Sequence, residues 1–391
     1  MDSLSDDMSL SADPAFADCP ERRGTGSEKW DRWSGRDVLP LWVADMDFRT
    51  ADVILDAIHA RVDHGVFGYT QPPPGFAPTL VDHLAARHGW QVDPAFITGT
   101  PGVVTGLALT ARLWAEPGDE ILTFTPVYPP FLTLPGLAGR RAVGVPLVPA
   151  ATAWEIDWDA AAAAVGPRTK LFWLCQPHNP TGTVFSPADL VRLAEFAARH
   201  GLTVVSDEIW ADLVLDEEAG VRHVPFASLD HPLARTAITL TAPSKTWNLA
   251  GLGCAAAIVP DAGIRRRLRA AGGGLVPMVN PLGYAAAEAA WRHGDDWRRR
   301  LLQLLRLHRE LVQQACRKIT GLSCLPAAAT YLAWIDCRGT GRDDPQRACE
   351  AAGLGPSDGR EFGAPGFIRL NLACPTPRLA EALRRLQAAF A

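Results

Sequence analysis

Six short strings in this chain are at least half apolar: EILTF, RAVGVPLV, KLFWLC, LTVVSD, RTAITL and CAAAIV. They are too short for free-standing helices and rich in β-favouring residues. None shows the strict alternation of a strand with one face in water. Such strands are buried on both faces, which requires a mostly parallel sheet covered by helices on either side. The intervening segments supply those helices. TADVILDAIHARVDHG, FAPTLVDHLAARHG and TPGVVTGLALTARLWA have helical patterning, and SPADLVRLAEFAARHG is the clearest. In it Ser186 is the cap, Pro187 suits the first turn and Gly201 ends the helix. Leu190, Leu193, Ala194 and Ala197 recur at helical spacing and predict one buried stripe.

From Pro281 onward the pattern is mainly helical, with a long run through LLQLLRLHRELVQQACRKI. A final strand–helix region holds TYLAWIDCR and GFIRLNLACP. The expected organisation is a large α/β domain over residues 51–294 and a smaller α+β domain assembled from both chain ends. Residues 1–50 and 295–391 form that smaller domain.

A formal charge of −5 gives no electrostatic case for nucleic acid or an anionic membrane. The basic runs Arg265–Arg269 and Trp297–Arg300 are interleaved with leucines and are expected on solvated helix faces. No apolar run is long enough to span a bilayer, and MDSLSDDMSL lacks the marks of a secretory signal. The eight cysteines form no C-x-x-C pair, and no Cys/His cluster has zinc-ligand spacing, so no metal is expected. Reduced thiols in apolar runs point to a cytoplasmic protein.

Three polar residues fall just past predicted strands, where open α/β sheets bind their ligands. Asn179 follows KLFWLC, Asp207 ends LTVVSD, and Lys245 follows RTAITL within TAPSKTWNLAGLG. Singly, each has a bland reading as a turn residue, a helix cap or an exposed lysine. Together they make a parts list. A desolvated lysine loses its proton and condenses with an aldehyde. A carboxylate keeps a pyridine nitrogen protonated, and an amide donor tunes the ring's phenolic oxygen. The helix start at Gly102, Val103 and Val104 offers free N–H groups to a phosphate, with Thr241 and Ser244 as hydroxyl donors. These are the requirements of pyridoxal 5′-phosphate (PLP).

The ordered set TPGVV, TPVYPPF, PHNPTG, SDEIW, APSKTWNLAGL and FIRLNLAC resembles fold-type I PLP enzymes of the class I/II aminotransferase family, whose large domain carries a mostly parallel sheet of the seven-stranded type. RRGTGSEKWD, LWVADMDF and FGYT look like its cystathionine β-lyase, or C–S lyase, branch of the MalY/PatB type. The resemblance runs from about residue 20 to about 380. It implies that Lys245 carries the cofactor and moves the substrate's α-proton, that Asp207 pairs with the pyridine nitrogen, and that Asn179 bonds the ring's 3-oxygen near the substrate carboxylate. Tyr128 stacks on the ring, and Arg369 binds the α-carboxylate, a two-point task suited to guanidinium. Tyr69 reaches the phosphate of a neighbouring subunit, so a homodimer is expected. Trp42 and Ala44 line the substrate entrance, and His178 is expected to be positional.

Two residues depart from that pattern. Many relatives clamp the phosphate with an arginine eight residues after the lysine, where this chain has Gly253. Trp210 stands where aminotransferases often have tyrosine and the lyase branch often has histidine. The implied activity is α,β-elimination on L-cystathionine or related cysteine S-conjugates, giving a thiol, pyruvate and ammonia. Two alternatives stay open: an aminotransferase on a neutral or aromatic amino acid, and a PLP-fold regulatory binding protein.

Overall fold

The structure is a computed structural model and describes residues 13–17 and 19–391. MDSLSDDMSL and the first part of the expected N-terminal segment lie outside the described residues. Among the described residues no helix is long and apolar enough to cross a membrane.

The large sheet contains β1 (Ile97–Thr100), β2 (Glu120–Thr125), β3 (Arg141–Pro149), β4 (Trp154–Ile156), β5 (Thr169–Cys175), β6 (Thr203–Asp207), β7 (Ile238–Thr241) and β8 (Ala255–Ile258). Their spatial order is β1-β8-β7-β6-β5-β2-β3-β4. Strands β7, β6, β5, β2 and β3 pair in parallel, while β8 runs antiparallel to both β7 and β1. Seven strands therefore form the body of the sheet, and the three-residue β4 closes its edge as an antiparallel partner of β3. Each of the six strings contains a strand, although the RTA of RTAITL lies before it, in the turn Ala234–Thr236 and its cap Ala237. ITGT of β1 was not among the expected ones, because two threonines and a glycine leave no apolar run to read.

Burial on both faces follows from the alternation of side chains along each strand. Phe172 and Leu174 of β5 enter one core with Leu122, Phe124 and Val204. Leu171 and Trp173 enter the opposite core with Ile121, Val205 and Leu240. Each such fully buried side chain contributes about 1.5–3 kcal/mol. The helices used below are α1 (Phe76–His88), α2 (Val103–Trp114), α3 (Pro187–Arg199), α4 (Asp295–Arg317) and α5 (Thr376–Ala389). Helix α3 has the expected cap, with Ser186 Oγ accepting from Asp189 N and the four stripe residues buried.

A second, antiparallel sheet orders β9 (Leu332–Asp336), β11 (Phe367–Asn371) and β10 (Ser357–Asp358) as β9-β11-β10, with α4 and α5 against it. The solvated-face reading of Trp297–Arg300 fails at two residues. Trp297 and Arg298 are buried, and Arg298 donates to Asp295 and Glu217 at 2.8 and 3.2 Å.

The segment Leu41–Phe48 runs between the two sheets, and side chains from four regions hold its backbone. Asn248, with φ of 58°, accepts from Met46 N and donates to Met46 O and Phe48 O at 2.9–3.0 Å. Asn371 donates to Val43 O and Asp45 O, and Arg369 to Trp42 O. The fourth anchor is RRGTGSEKWD, whose partners sequence alone did not reveal. Its Lys29, almost fully buried, donates to Asp47 Oδ1 at 3.0 Å, and Arg22 and Trp30 Nε1 bond the same oxygen. Arg378 of α5 takes Asp47 Oδ2 at 2.8 Å.

Burial pushes the Asp47 carboxyl up, but Lys29, Trp30 and Arg378 outweigh it and hold the pKa below the ordinary value. Because the folded value is depressed, the resulting stability is present above the ordinary 3.8 and is lost as pH falls through the folded value. Asp47→Asn leaves buried Lys29 without its closest counter-charge and is expected to cost about 3–5 kcal/mol. Urea denaturation at pH 7 measures this, and an unchanged midpoint contradicts it.

Candidate active site

Parallel pairing puts the ends of β5, β6 and β7 at one edge. Cys175 is in register with Asp207, and Asp207 with Leu240. The chain leaves these ends through the turns that carry Asn179, Asp207 and Lys245, so three residues distant in sequence meet. The turn after β5 packs tightly against the segment before β9. Gly182, at φ +68°, has room for no side chain, since a Cβ there would stand 2.7 Å from Ala329 O.

Asp207 is buried, and the hydrogen bond to its carboxylate comes from Ile209 N at 3.1 Å. Burial raises its pKa to about 7. Lys245 opposes this only through longer-range attraction. Arg369, on β11, is equally buried. Its Nη1 donates to Asn179 Oδ1 at 3.0 Å, and its Nη2 to Trp42 O and Ser357 Oγ at 2.6 and 3.1 Å. Its Nε is buried without a partner, and its guanidinium lies 4.7 Å from the Phe362 ring centroid. Burial pulls its pKa down to about 10. Among the described residues no carboxylate bonds this guanidinium.

Lys245 is half-buried. Its Nζ donates to Ala44 O at 2.7 Å and lies 5.6 Å from the Trp210 ring centroid. Burial, followed by repulsion from Arg369, lowers its pKa to about 8. Tyr331 shares the acceptor, donating from Oη to Ala44 O at 2.9 Å, and packs edge-on against Trp210 at 4.8 Å. Reading TYLAWIDCR as a strand gave no hint of this tyrosine's place, which only tertiary pairing supplies.

Trp42 and Ala44 enter through their carbonyls. The Trp42 indole instead donates to Lys29 O and lies under Arg32. Tyr128 precedes the helix Pro129–Leu137 and is half-buried, and its amide donates to Asn179 O. His178 Nε2 lies 2.7 Å from Pro126 O and Nδ1 3.2 Å from Cys175 O, so backbone engages both ring nitrogens. Gly102 starts α2 with no side-chain cap, Val103 is buried and Val104 exposed. Gly253 adjoins that helix start. A Cβ on it would stand 3.2 Å from Pro101 O, and its φ is +55°. Thr241 ends β7 and Ser244 follows in the lysine loop. Tyr69 is apart from all of these, fully exposed in a loop with exposed Val66 and Phe67.

This donor set fits PLP on structural grounds. A buried carboxylate without a paired cation suits a protonated pyridine nitrogen, and a lysine with a lowered pKa suits an aldehyde. An uncapped helix start suits a phosphate.

The sequence profile described as "Aminotransferase class I and II" matches residues 36–386. The chain is 38% identical over 387 residues to "Cystathionine beta-lyase PatB" of Bacillus subtilis (strain 168), covering 95% of this chain and 98% of that one. A crystal structure of OvoB superposes with a TM-score of 0.93 at 42% identity, covering 96% and 99% of the two chains. The structure of cystalysin from Treponema denticola, which contains pyridoxal 5′-phosphate, superposes at 0.89 with 30% identity, covering 96% and 98%.

With a pKa near 8, about half of Lys245 is neutral at pH 8, against roughly 0.3% of an ordinary lysine. In the cofactor-free protein, acylation of Lys245 by an amine reagent is expected to rise with a midpoint near pH 8. Peptide mass spectrometry follows this, and a midpoint near 10.5 contradicts the lowered value.

Proposed function

The chain belongs to the class I and II aminotransferase family, and we propose that it is a PLP-dependent carbon–sulfur β-lyase acting on L-cystathionine or related cysteine S-conjugates. The lyase reading, rather than transamination, is carried by the near full-length similarity to a cystathionine β-lyase. The LWVADMDF segment that the site uses through Trp42 and Ala44 accords with it.

When bound, PLP supplies an electron sink for the pair released from the substrate's Cα–H bond. The chain's residues do the rest. Lys245 Nζ would hold the cofactor and would take the substrate's α-proton. Its lowered pKa lets it receive and return a proton near neutral pH. Asp207 would hold the pyridine N–H, Asn179 the 3-oxygen, and Tyr128 would cover the ring. Arg369, already oriented by Asn179, Trp42 and Ser357, holds the substrate α-carboxylate. The Cβ–S bond breaks, and its sulfur leaves as a thiol after gaining a proton. The three-carbon fragment is released and takes up water to give pyruvate and ammonia.

The α2 start at Gly102, Val103 and Val104, with Thr241 and Ser244, would hold the phosphate. Gly253 adds no charge there, and a helix N-terminus contributes only about 0.3–2 kcal/mol. Tyr69 of a second copy supplies a further contact. The full exposure of Tyr69 supports that homodimer, in which the loop Val66–Tyr69 is covered. The site lies between the domain of residues 51–294 and the smaller one from both chain ends. Buried thiols at Cys175, Cys316, Cys337, Cys349 and Cys374 suit a reducing, cytoplasmic setting.

The test is a substrate panel on PLP-loaded protein with no 2-oxo acid added. L-Cystathionine is expected to yield homocysteine and pyruvate in equal amounts. No pyruvate without an oxo acid, together with turnover on adding one, would establish the aminotransferase alternative instead.

A further inference from the structure

Helix α1 ends against the turn that follows β6, and there three donors converge away from the site already described. His83 Nε2 lies 3.1 and 2.9 Å from the two carboxylate oxygens of Asp212, and His88 Nε2 lies 3.3 Å from Oδ1. The three ligand atoms fall within 4.8 Å of one another. The side chains of all three are at least nine-tenths buried. Ligands 2.0–2.1 Å from a tetrahedral zinc ion stand about 3.3 Å apart, close to the contacts found here.

Two further observations bear on the same cluster. A carboxylate buried at the negative end of a helix dipole requires positive charge beside it. Arg87 provides little, since its Nε is 3.9 Å from Asp212 Oδ1 while its Nη2 is bound by Glu217. Arg298 reaches the backbone carbonyl of Asp212, not its carboxylate. Next to the cluster, the ring of His223 lies 5.1 Å from that of His88. It is buried, with Nε2 on Glu208 and Nδ1 without a hydrogen-bond partner. A buried imidazole with one nitrogen unspent thus packs against His88, one of the three converging donors.

We infer that His83, His88 and Asp212 form a binding site for a divalent transition-metal ion of the zinc class. Each imidazole coordinates through Nε2 with its proton on Nδ1, and water fills the remaining position. Two imidazoles and one carboxylate are a donor set suited to zinc and poor for magnesium or calcium. The role is structural. Asp212 is five residues after Asp207, and His83 packs edge-on against Trp247, two residues after Lys245. The ion pins the end of α1 to both loops that carry the cofactor residues. The sequence hid this site because two ligands are five apart on one helix and the third is far along the chain.

The test uses the full chain, with and without PLP, since the cofactor itself can chelate metals. After zinc loading and gel filtration, elemental analysis is expected to find one zinc per chain in both forms. A chelator should lower the melting temperature and zinc restore it. Cobalt should give visible d–d bands in wild type. His83→Gln and His88→Gln should each weaken zinc binding at least tenfold. Absence of stoichiometric zinc from wild type, with no thermal effect of the metal, overturns the proposal. Equal retention by His83→Gln and wild type overturns it too. Should the variants fail to fold, the wild-type cobalt spectrum and melting shift still decide.

Discussion

Two opposite charges, Asp207 at the end of a strand of the large sheet and Arg369 on the smaller one, are buried, and among the described residues neither has an ionic partner. Keeping the Asp207 carboxylate ionised at neutral pH costs on the order of 4 kcal/mol relative to an exposed aspartate. A fold retains such groups when something else bears the compensating charge. The compensation required is specific: a cation facing Asp207 and a carboxylate facing Arg369. A protonated pyridine and an amino-acid substrate meet those needs at once, with Lys245 between them. Much of the surrounding structure keeps the two charges dry and fixed.

The segment Leu41–Phe48 is the chief means of doing so. It brings the Ala44 carbonyl to Lys245 and the Trp42 carbonyl to Arg369, so one backbone run orients both charged side chains. Its own position depends on Asn248 in the lysine loop, on Asn371 two residues from Arg369, and on the buried ionic knot around Asp47. Displacement of the segment therefore disturbs amine and guanidinium together. Trp210 gives the amine an aromatic face, and Tyr331 packs edge-on against that indole. Gly253 leaves the phosphate end without a clamp arginine, in a backbone conformation and packing that disfavour any side chain.

The parts governed by local periodicity were legible in the sequence. Strands buried on both faces betray themselves by apolar-rich runs, unbroken in LFWLC of β5 and shorter in β6 and β7, which is why these strands and the polar residues at or after their ends could be placed. The capping chemistry of Ser186 and Gly201 likewise marked a helix. Long-range pairing was not legible. The short polar β1 has no pattern of its own and is a strand only because β8 offers its edge. Arg298 reads as a surface charge, yet it is buried against Asp295 and the distant Glu217, and the burial of Lys29 on Asp47 has no local signal. Tyr331 and Asn248 carry no local signal, although Asn248 tolerates its left-handed conformation better than most residues.

The central claim is that the ε-nitrogen of Lys245 is the covalent anchor for the cofactor. Borohydride reduction of the PLP-loaded protein, followed by proteolysis and mass mapping, measures it directly. The account predicts one stable pyridoxyl label per chain, on the peptide that carries Lys245. A label on any other lysine, or none after reduction, would contradict it.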